Sequence, residues 1–85
     1  MATVTMRYWA AARDAAGIAE QRLEADTLAG ALIQAADAEP AGRLRVVLTR
    51  SSFLIDGDPV GTRGHETVRL AEGGTVEVLP PFAGG

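Results

Sequence analysis

Residues 26–40, DTLAGALIQAADAEP, hold the chain's main helical repeat, and the segments on either side read mostly as short strands. Leu28, Ala31, Leu32, Ala35 and Ala36 recur at i, i+3, i+4, i+7 and i+8, the spacing of one apolar helix face. Asp26 or Thr27 is the N-cap candidate, and Pro40 marks the stop. A helix with a single apolar stripe must bury it, and a sheet built from the flanking strands is the surface this chain can offer. Gly30 inside the helix costs up to about 1 kcal/mol against alanine, and its missing side chain would let the helix sit close to that sheet.

The flanking patterns follow the same logic. Residues 3–8, TVTMRY, alternate Val4, Met6 and Tyr8 against Thr3, Thr5 and Arg7, as a half-buried strand does. Residues 9–17, WAAARDAAG, are alanine-rich and end on Gly17, a natural C-terminal cap, which predicts a short helix. Residues 20–25, EQRLEA, read as an edge-like strand. Residues 42–50, GRLRVVLTR, are ambiguous: Leu44, Val47 and Leu48 suit a helix face, whereas Val46 and Val47 also tolerate a strand. Residues 52–60, SFLIDGDPV, read as a strand, a turn at Asp56-Gly57-Asp58-Pro59 and a return. A short strand around Val68 and Leu70, a Gly73-Gly74 turn and a last strand with Val76 and Val78 on one face complete the chain. The result is an α+β fold, with Tyr8, Phe53 and Val78 assigned to its core.

Composition narrows the function. Eighty-five residues make one small domain, and a chain this size buries only about 60–65% of its unfolded surface. The net charge of −3 gives no basic footprint for nucleic acid or an anionic membrane. No stretch approaches a membrane span, and Met1 to Val4 lacks the charged start of a secretion signal, so the expected location is cytoplasmic. With no cysteine there is no thiol nucleophile and no thiolate metal site. The lone histidine, His65, has only Glu66 as a nearby ligand and reads as a solvated loop residue, so no metal site is expected. Ser51 and Ser52 have no adjacent base, and no phosphate-binding glycine loop appears. An enzyme complete in itself is not expected. All eight basic residues are arginine, so the body offers no lysine amine to attack an activated acyl group.

The ending LPPFAGG, residues 79–85, is the most distinctive stretch. Pro80 and Pro81 lack N–H donors and fix φ, so a sheet ladder cannot run through them. Each also pushes its predecessor toward extended geometry. Residues 80–85 reach roughly 20 Å when extended. Gly84 and Gly85 have no Cβ and can thread a channel too narrow for other residues. The tail reads as a probe that places a carboxylate inside another protein, with Phe82 as an apolar anchor or, alternatively, folded back on its own sheet.

These residues resemble the MoaD/ThiS sulfur carriers of the ubiquitin-like β-grasp fold, and most nearly the branch that serves molybdopterin synthase. MRYWAAARDAAG resembles the family's strand followed by aromatic-Ala-x-x-Arg-acidic-x-x-Gly, with Trp9, Ala10, Arg13, Asp14 and Gly17 in those positions. SSFLIDGDPV is similar to its hairpin strand, and LAEGGTVEVLPPFAGG to its Leu-x-x-Gly-Asp-x-Val and Pro-Pro-x-x-Gly-Gly ending. Asp14 stands where Glu is usual, Gly74 where Asp is common and Phe82 where Val is frequent, while residues 61–67 have no counterpart.

The resemblance implies a β-grasp domain over residues 1–79, a mixed sheet with one main helix on one face, and a flexible Gly-Gly tail over 80–85. It implies that Gly85 is adenylated by a MoeB-type activating enzyme using ATP and Mg²⁺, with no cofactor bound by this chain, and then converted to a thiocarboxylate. Pro80, Pro81, Phe82, Ala83 and Gly84 would thread the tail into a MoaE-type large subunit, which supplies the catalytic groups. Arg13 would meet an acidic partner surface or pair with Asp14 or a nearby Glu. Two other roles stand beside this one: a carrier for thiamin thiazole or cysteine formation, and a ubiquitin-like module that binds or is conjugated to proteins.

Overall fold

The computed structural model describes residues 1–81. In chain order the elements are β1 (Ala2–Tyr8), α1 (Ala10–Ala16), β2 (Glu20–Ala25), α2 (Leu28–Asp37), α3 (Arg43–Leu48), β3 (Ser52–Ile55), β4 (Asp58–Pro59), a 3-10 turn (His65–Thr67) and β5 (Thr75–Leu79). The strands form one five-stranded sheet in the order β2-β1-β5-β3-β4. β1 and β5 run parallel, and every other pairing is antiparallel. The last strand in sequence is therefore the central strand in space.

Period-two alternation fixes which face is buried. Met6 sits beside Val76 and Tyr8 beside Val78 across the parallel pair, and Phe53 lies opposite Val78 on the other side. These side chains, with Val4, point to the helices and are buried, while Thr3, Thr5, Arg7 and Glu77 point the other way. Leu28, Ala31, Ala35 and Ala36 of α2 close over that face, as the helical repeat requires. Ala12 and Ala15 of α1 and Leu44 and Leu48 of α3 complete the cluster. Fully burying each Val, Leu, Met or Phe contributes roughly 1.5–3 kcal/mol, so this single core supplies most of the fold's stability.

The helix ends are built as the sequence predicts. Thr27 is extended, and its hydroxyl oxygen accepts from the Gly30 amide at 3.2 Å. Gly17 closes α1 in the left-handed region, φ 78°, donating to the Arg13 carbonyl. Gly30 is not required for close approach: a Cβ there would meet Ala25 and the Thr27 hydroxyl at 3.6 Å, ordinary contact. Gly30→Ala is expected to raise stability by about 0.5–1 kcal/mol in a denaturant melt. A loss would place an obstructing atom where none is seen.

Four further readings are resolved or changed. The ambiguous stretch at 42–50 is helical, because Leu44 and Leu48, one turn apart, fill the core beside α1 and α2. Its start is capped from outside, with the Glu39 carboxylate accepting from the Leu44 and Ala41 amides at 2.8 Å each. Those bonds, the Leu44 one foremost, hold the Glu39 carboxyl below its usual range. The strand expected around Val68 and Leu70 is absent: a 3-10 turn leads to an isolated bridge between Arg69 and Thr27. Leu28 N–H donates to the Val68 carbonyl and Leu70 N–H to that of Asp26, both at 2.9 Å, because both flanks of β5 are already taken by β1 and β3.

The turn after β3 is tighter than expected. Asp56 and Gly57 alone form it, at φ 50° and 87°, and Asp58 and Pro59 already belong to β4. Both positive φ values are those of a two-residue Asp-Gly hairpin turn, and Pro59 is tolerated because β4 is an edge. His65 is the fourth change. It is half-buried and meets the Phe53 ring edge-on, centroids 5.2 Å apart at 87°, so it packs rather than floats.

Tyr8 gives the core a chemical reporter. Only 1% of the residue is exposed, its hydroxyl donates to the Gln21 side-chain oxygen at 2.8 Å, and burial pushes its phenol from 10.0 up to about 12. The raised folded value means that its stabilisation is complete below the unfolded pKa near 10 and is lost as pH rises toward 12. Lysine and cysteine are missing and Tyr8 is the one tyrosine, so no other side chain titrates in that window. Stability is expected to fall by on the order of 2 kcal/mol between pH 10 and 12. Tyr8→Phe should flatten that limb. A wild-type profile flat across the window would show that the phenol is not desolvated.

Candidate functional site

The site is the rim of the sheet where β5 ends. Leu79 is the last strand residue and lies opposite Ser52 at the start of β3. On the other flank the Trp9 amide donates to the Val78 carbonyl at 3.3 Å, just past the end of β1. Pro80 is half-buried and Pro81 exposed, and neither has an N–H to carry the ladder further. The chain is thus delivered from the middle of the sheet, held by β1 on one side and β3 on the other. Phe82, Ala83, Gly84 and Gly85, which carry the remaining tail expectations, lie outside the described residues.

Trp9 is the residue at this rim whose role the sequence reading left unstated. It follows Tyr8 directly, so alternation turns its indole to the face that the helices leave open. The residue is 45% exposed, and its indole Nε1–H donates to the Glu77 carboxylate at 3.1 Å. Glu77 lies between buried Val76 and Val78 and faces the same way. Leu54, opposite Glu77, and Leu79 are half-buried on this face, and the Arg7 guanidinium meets the Glu20 carboxylate at 2.9 Å beside them. An exposed indole with two half-buried leucines, rimmed by charge, is the composition of a protein-docking surface.

Arg13 sits one turn into α1, exposed, with its amide donating to the Trp9 carbonyl. The ion pairs among the described residues are Met1 amine–Asp26, Arg7–Glu20 and Arg45–Asp37, and Arg13 is in none of them. Its expected pairing with Asp14 or a nearby Glu is therefore not seen among the described residues. Ser51 Oγ is bonded to the Val47 carbonyl at 2.8 Å rather than to a base. Among the described residues no group of three or more His, Cys, Asp or Glu is placed to hold a metal ion, and no helix is long and apolar enough to cross a membrane.

Known structures share this architecture. The small archaeal modifier protein 1 of Methanosarcina acetivorans superposes with a TM-score of 0.85 at 25% identity, covering 100% of this chain and 98% of its own. A putative molybdopterin converting factor subunit 1 from Pyrococcus furiosus gives 0.78 at 17% identity, covering 96% of this chain and 100% of its own. A complex of subunits 1 and 2 of the molybdopterin-converting factor from Helicobacter pylori gives 0.69 at 17% identity, covering 98% of this chain and 99% of the matched one. No curated protein sequence matches the chain. The mixed sheet, the covering α2 and the central last strand are those of the ubiquitin-like β-grasp fold. The ThiS family profile matches residues 6–85, from the middle of β1 through the Gly-Gly pair, and with that span matched the chain belongs to the ThiS family.

Proposed function

We propose that this chain is a sulfur carrier of molybdenum cofactor synthesis, working in the cytoplasm, with Gly85 as its reacting end. The observation that carries the reading is the family match through Gly84 and Gly85, on a fold whose central last strand ends at Leu79, just before Pro80 and Pro81. A carboxylate with pKa about 3.5 is ionised at neutral pH and is a poor electrophile. A MoeB-type enzyme, using ATP and Mg²⁺, joins it to AMP with loss of pyrophosphate and so supplies a leaving group. A donor then supplies sulfur at the hydrosulfide level, which attacks the acyl carbon, expels AMP and leaves a thiocarboxylate. The chain has no cysteine, so a carried sulfur has no side chain to ride on.

Within the synthase, the open face around Trp9, Leu54 and Leu79 docks on a MoaE-type large subunit, and the tail threads to its catalytic groups. The Helicobacter pylori complex of subunits 1 and 2, matched at the level of fold, supports a partner of that kind. The likeness to the archaeal modifier proteins supports a second reading, in which Gly85 is joined to amines of other proteins. Thiocarboxylated protein, mixed with the large subunit and the cyclic pyranopterin precursor, is expected to yield molybdopterin without ATP, and unmodified protein to yield none. An inert thiocarboxylate that instead supports thiazole or cysteine formation defeats the molybdopterin assignment and keeps the carrier. Intact mass of the protein isolated from its cells, showing conjugates linked through Gly85 and no thiocarboxylate, favours the modifier.

A further inference from the structure

The sheet has two edges, and they are protected unequally. β4 is two residues long and ends in Pro59, whereas β2 runs six residues without a proline. The direction of each β2 backbone group follows from its register with β1. Ala19 accepts from Tyr8 N–H, so residues 19, 21, 23 and 25 turn their backbone groups to β1, and Glu20, Arg22 and Glu24 turn theirs outward. Gln34 of α2 donates to the outward Glu24 carbonyl, which confirms the parity. The side chains of Glu20, Arg22 and Glu24 are exposed. Glu20 is held by Arg7, but Arg22 and Glu24 belong to none of the ion pairs among the described residues.

We infer that a second copy of this chain pairs antiparallel along β2, with the two-fold axis at Leu23, so that each Arg22 faces Glu24 of the other copy. Antiparallel self-pairing permits only registers in which outward residues face outward residues, and the charges choose among them. An axis at Arg22 sets Arg22 against Arg22 and Glu20 against Glu24, like charge on like. An axis at Gln21 leaves only residues 20–22 overlapping and competes with Arg7 for Glu20. The axis at Leu23 overlaps residues 21–25 wholly within the strand and forms two Arg22–Glu24 pairs. It also brings half-buried Leu23 against its own copy at the closely spaced, non-hydrogen-bonded position, over a groove walled by Met1, Gln34 and Ala38.

The pairing is a weak one. Five paired residues fall below the ~1,000 Å² of a stable interface, and Gln34 already occupies the Glu24 carbonyl. Dissociation constants on the order of 0.1–1 mM follow. β1 and β5 are parallel, and both run opposite to β2. The two copies therefore run their β5 strands in opposite directions, and both open faces stay accessible.

Sedimentation equilibrium on the full chain, up to a concentration of about 2 mM, tests the pairing together with hydrogen exchange. Arg22→Glu and Glu24→Arg each set like charges opposite and are expected to weaken association about tenfold, with unchanged melting temperature because both residues are exposed. The double variant Arg22→Glu/Glu24→Arg restores opposite charges and is expected to recover wild-type association. The Arg22 and Glu24 amides of the wild type should become protected as concentration rises. A chain monomeric throughout, single variants that associate like wild type, or a double variant as weak as the singles overturns the inference. So does a dimer in which those amides stay unprotected, because the copies then meet elsewhere.

Discussion

Removing Gly85, or adding one alanine after it, is expected to abolish adenylation while leaving the fold intact. The reasoning is geometric. An activating enzyme must bring one carboxylate oxygen in line with the α-phosphate of ATP, and a misplacement of about 1 Å can cost a hundredfold. One residue more or less moves the carboxylate by roughly 3.5 Å along an extended chain, several times that tolerance. Neither change touches β5, which ends at Leu79, or the core side chains Val76 and Val78 behind it. Melting temperature should therefore match the wild type. ATP–pyrophosphate exchange with the cognate activating enzyme is the measurement, and normal exchange by either variant would defeat the terminal-carboxylate reading. Because exchange precedes sulfur transfer, this result bears on the carrier and modifier readings alike, and the synthase assay then separates them.

The parts of the fold legible in the sequence are those where local pattern and tertiary role agree. Val4, Met6 and Tyr8 alternate because one face of β1 is buried, and Leu28, Ala31, Ala35 and Ala36 keep helical spacing because one face of α2 is. Gly17 reads as a cap because the left-handed region at φ 78° is costly for other residues. Legibility fails where the deciding partner is distant. Val46 and Val47 fit either a helix or a strand, and the choice rests on Leu44 and Leu48 meeting α1 and α2. Val68 and Leu70 look strand-like, yet β5 has no free flank, and their backbone groups pair with Leu28 and Asp26 at the start of α2.

The candidate site divides in the same way. Pro80 and Pro81 announce the end of the ladder through their own chemistry, without reference to any neighbour. The open-face surface is visible only once the sheet order is known. Trp9, Leu54, Glu77 and Leu79 come from three separate segments, brought together because the last strand inserts between β1 and β3. A signal was present in the alternation, since Trp9 follows buried Tyr8 and Glu77 separates buried Val76 from Val78. His65 gave no such signal, because the Phe53 ring it meets lies twelve positions back on β3.

Leu28→Ala is expected to lower stability by about 3 kcal/mol, within the range for a buried leucine truncated to alanine. Leu28 is 0% exposed and belongs to the cluster that also holds Met6, Tyr8 and Val76. Its backbone bond to the Val68 carbonyl survives the change, since alanine keeps the N–H. The loss is therefore one of packing: apolar surface left unburied, plus the cavity that surrounding side chains fill only in part. Alanine's better helix propensity returns no more than a few tenths of a kcal/mol. A domain of this length has a total stability of roughly 4–13 kcal/mol, so the substitution removes a large share of it. At about 4–8 °C per kcal/mol, the melting temperature should fall by roughly 12–24 °C. The exit of β5 is held by β1 and β3 rather than by Leu28, so the folded variant at low temperature should still be adenylated at the wild-type rate. A melting temperature within a few degrees of wild type would mean that α2 is not packed on the sheet as described. Loss of adenylation in protein that remains folded would instead place α2 in contact with the activating enzyme, on the face of the sheet opposite Trp9.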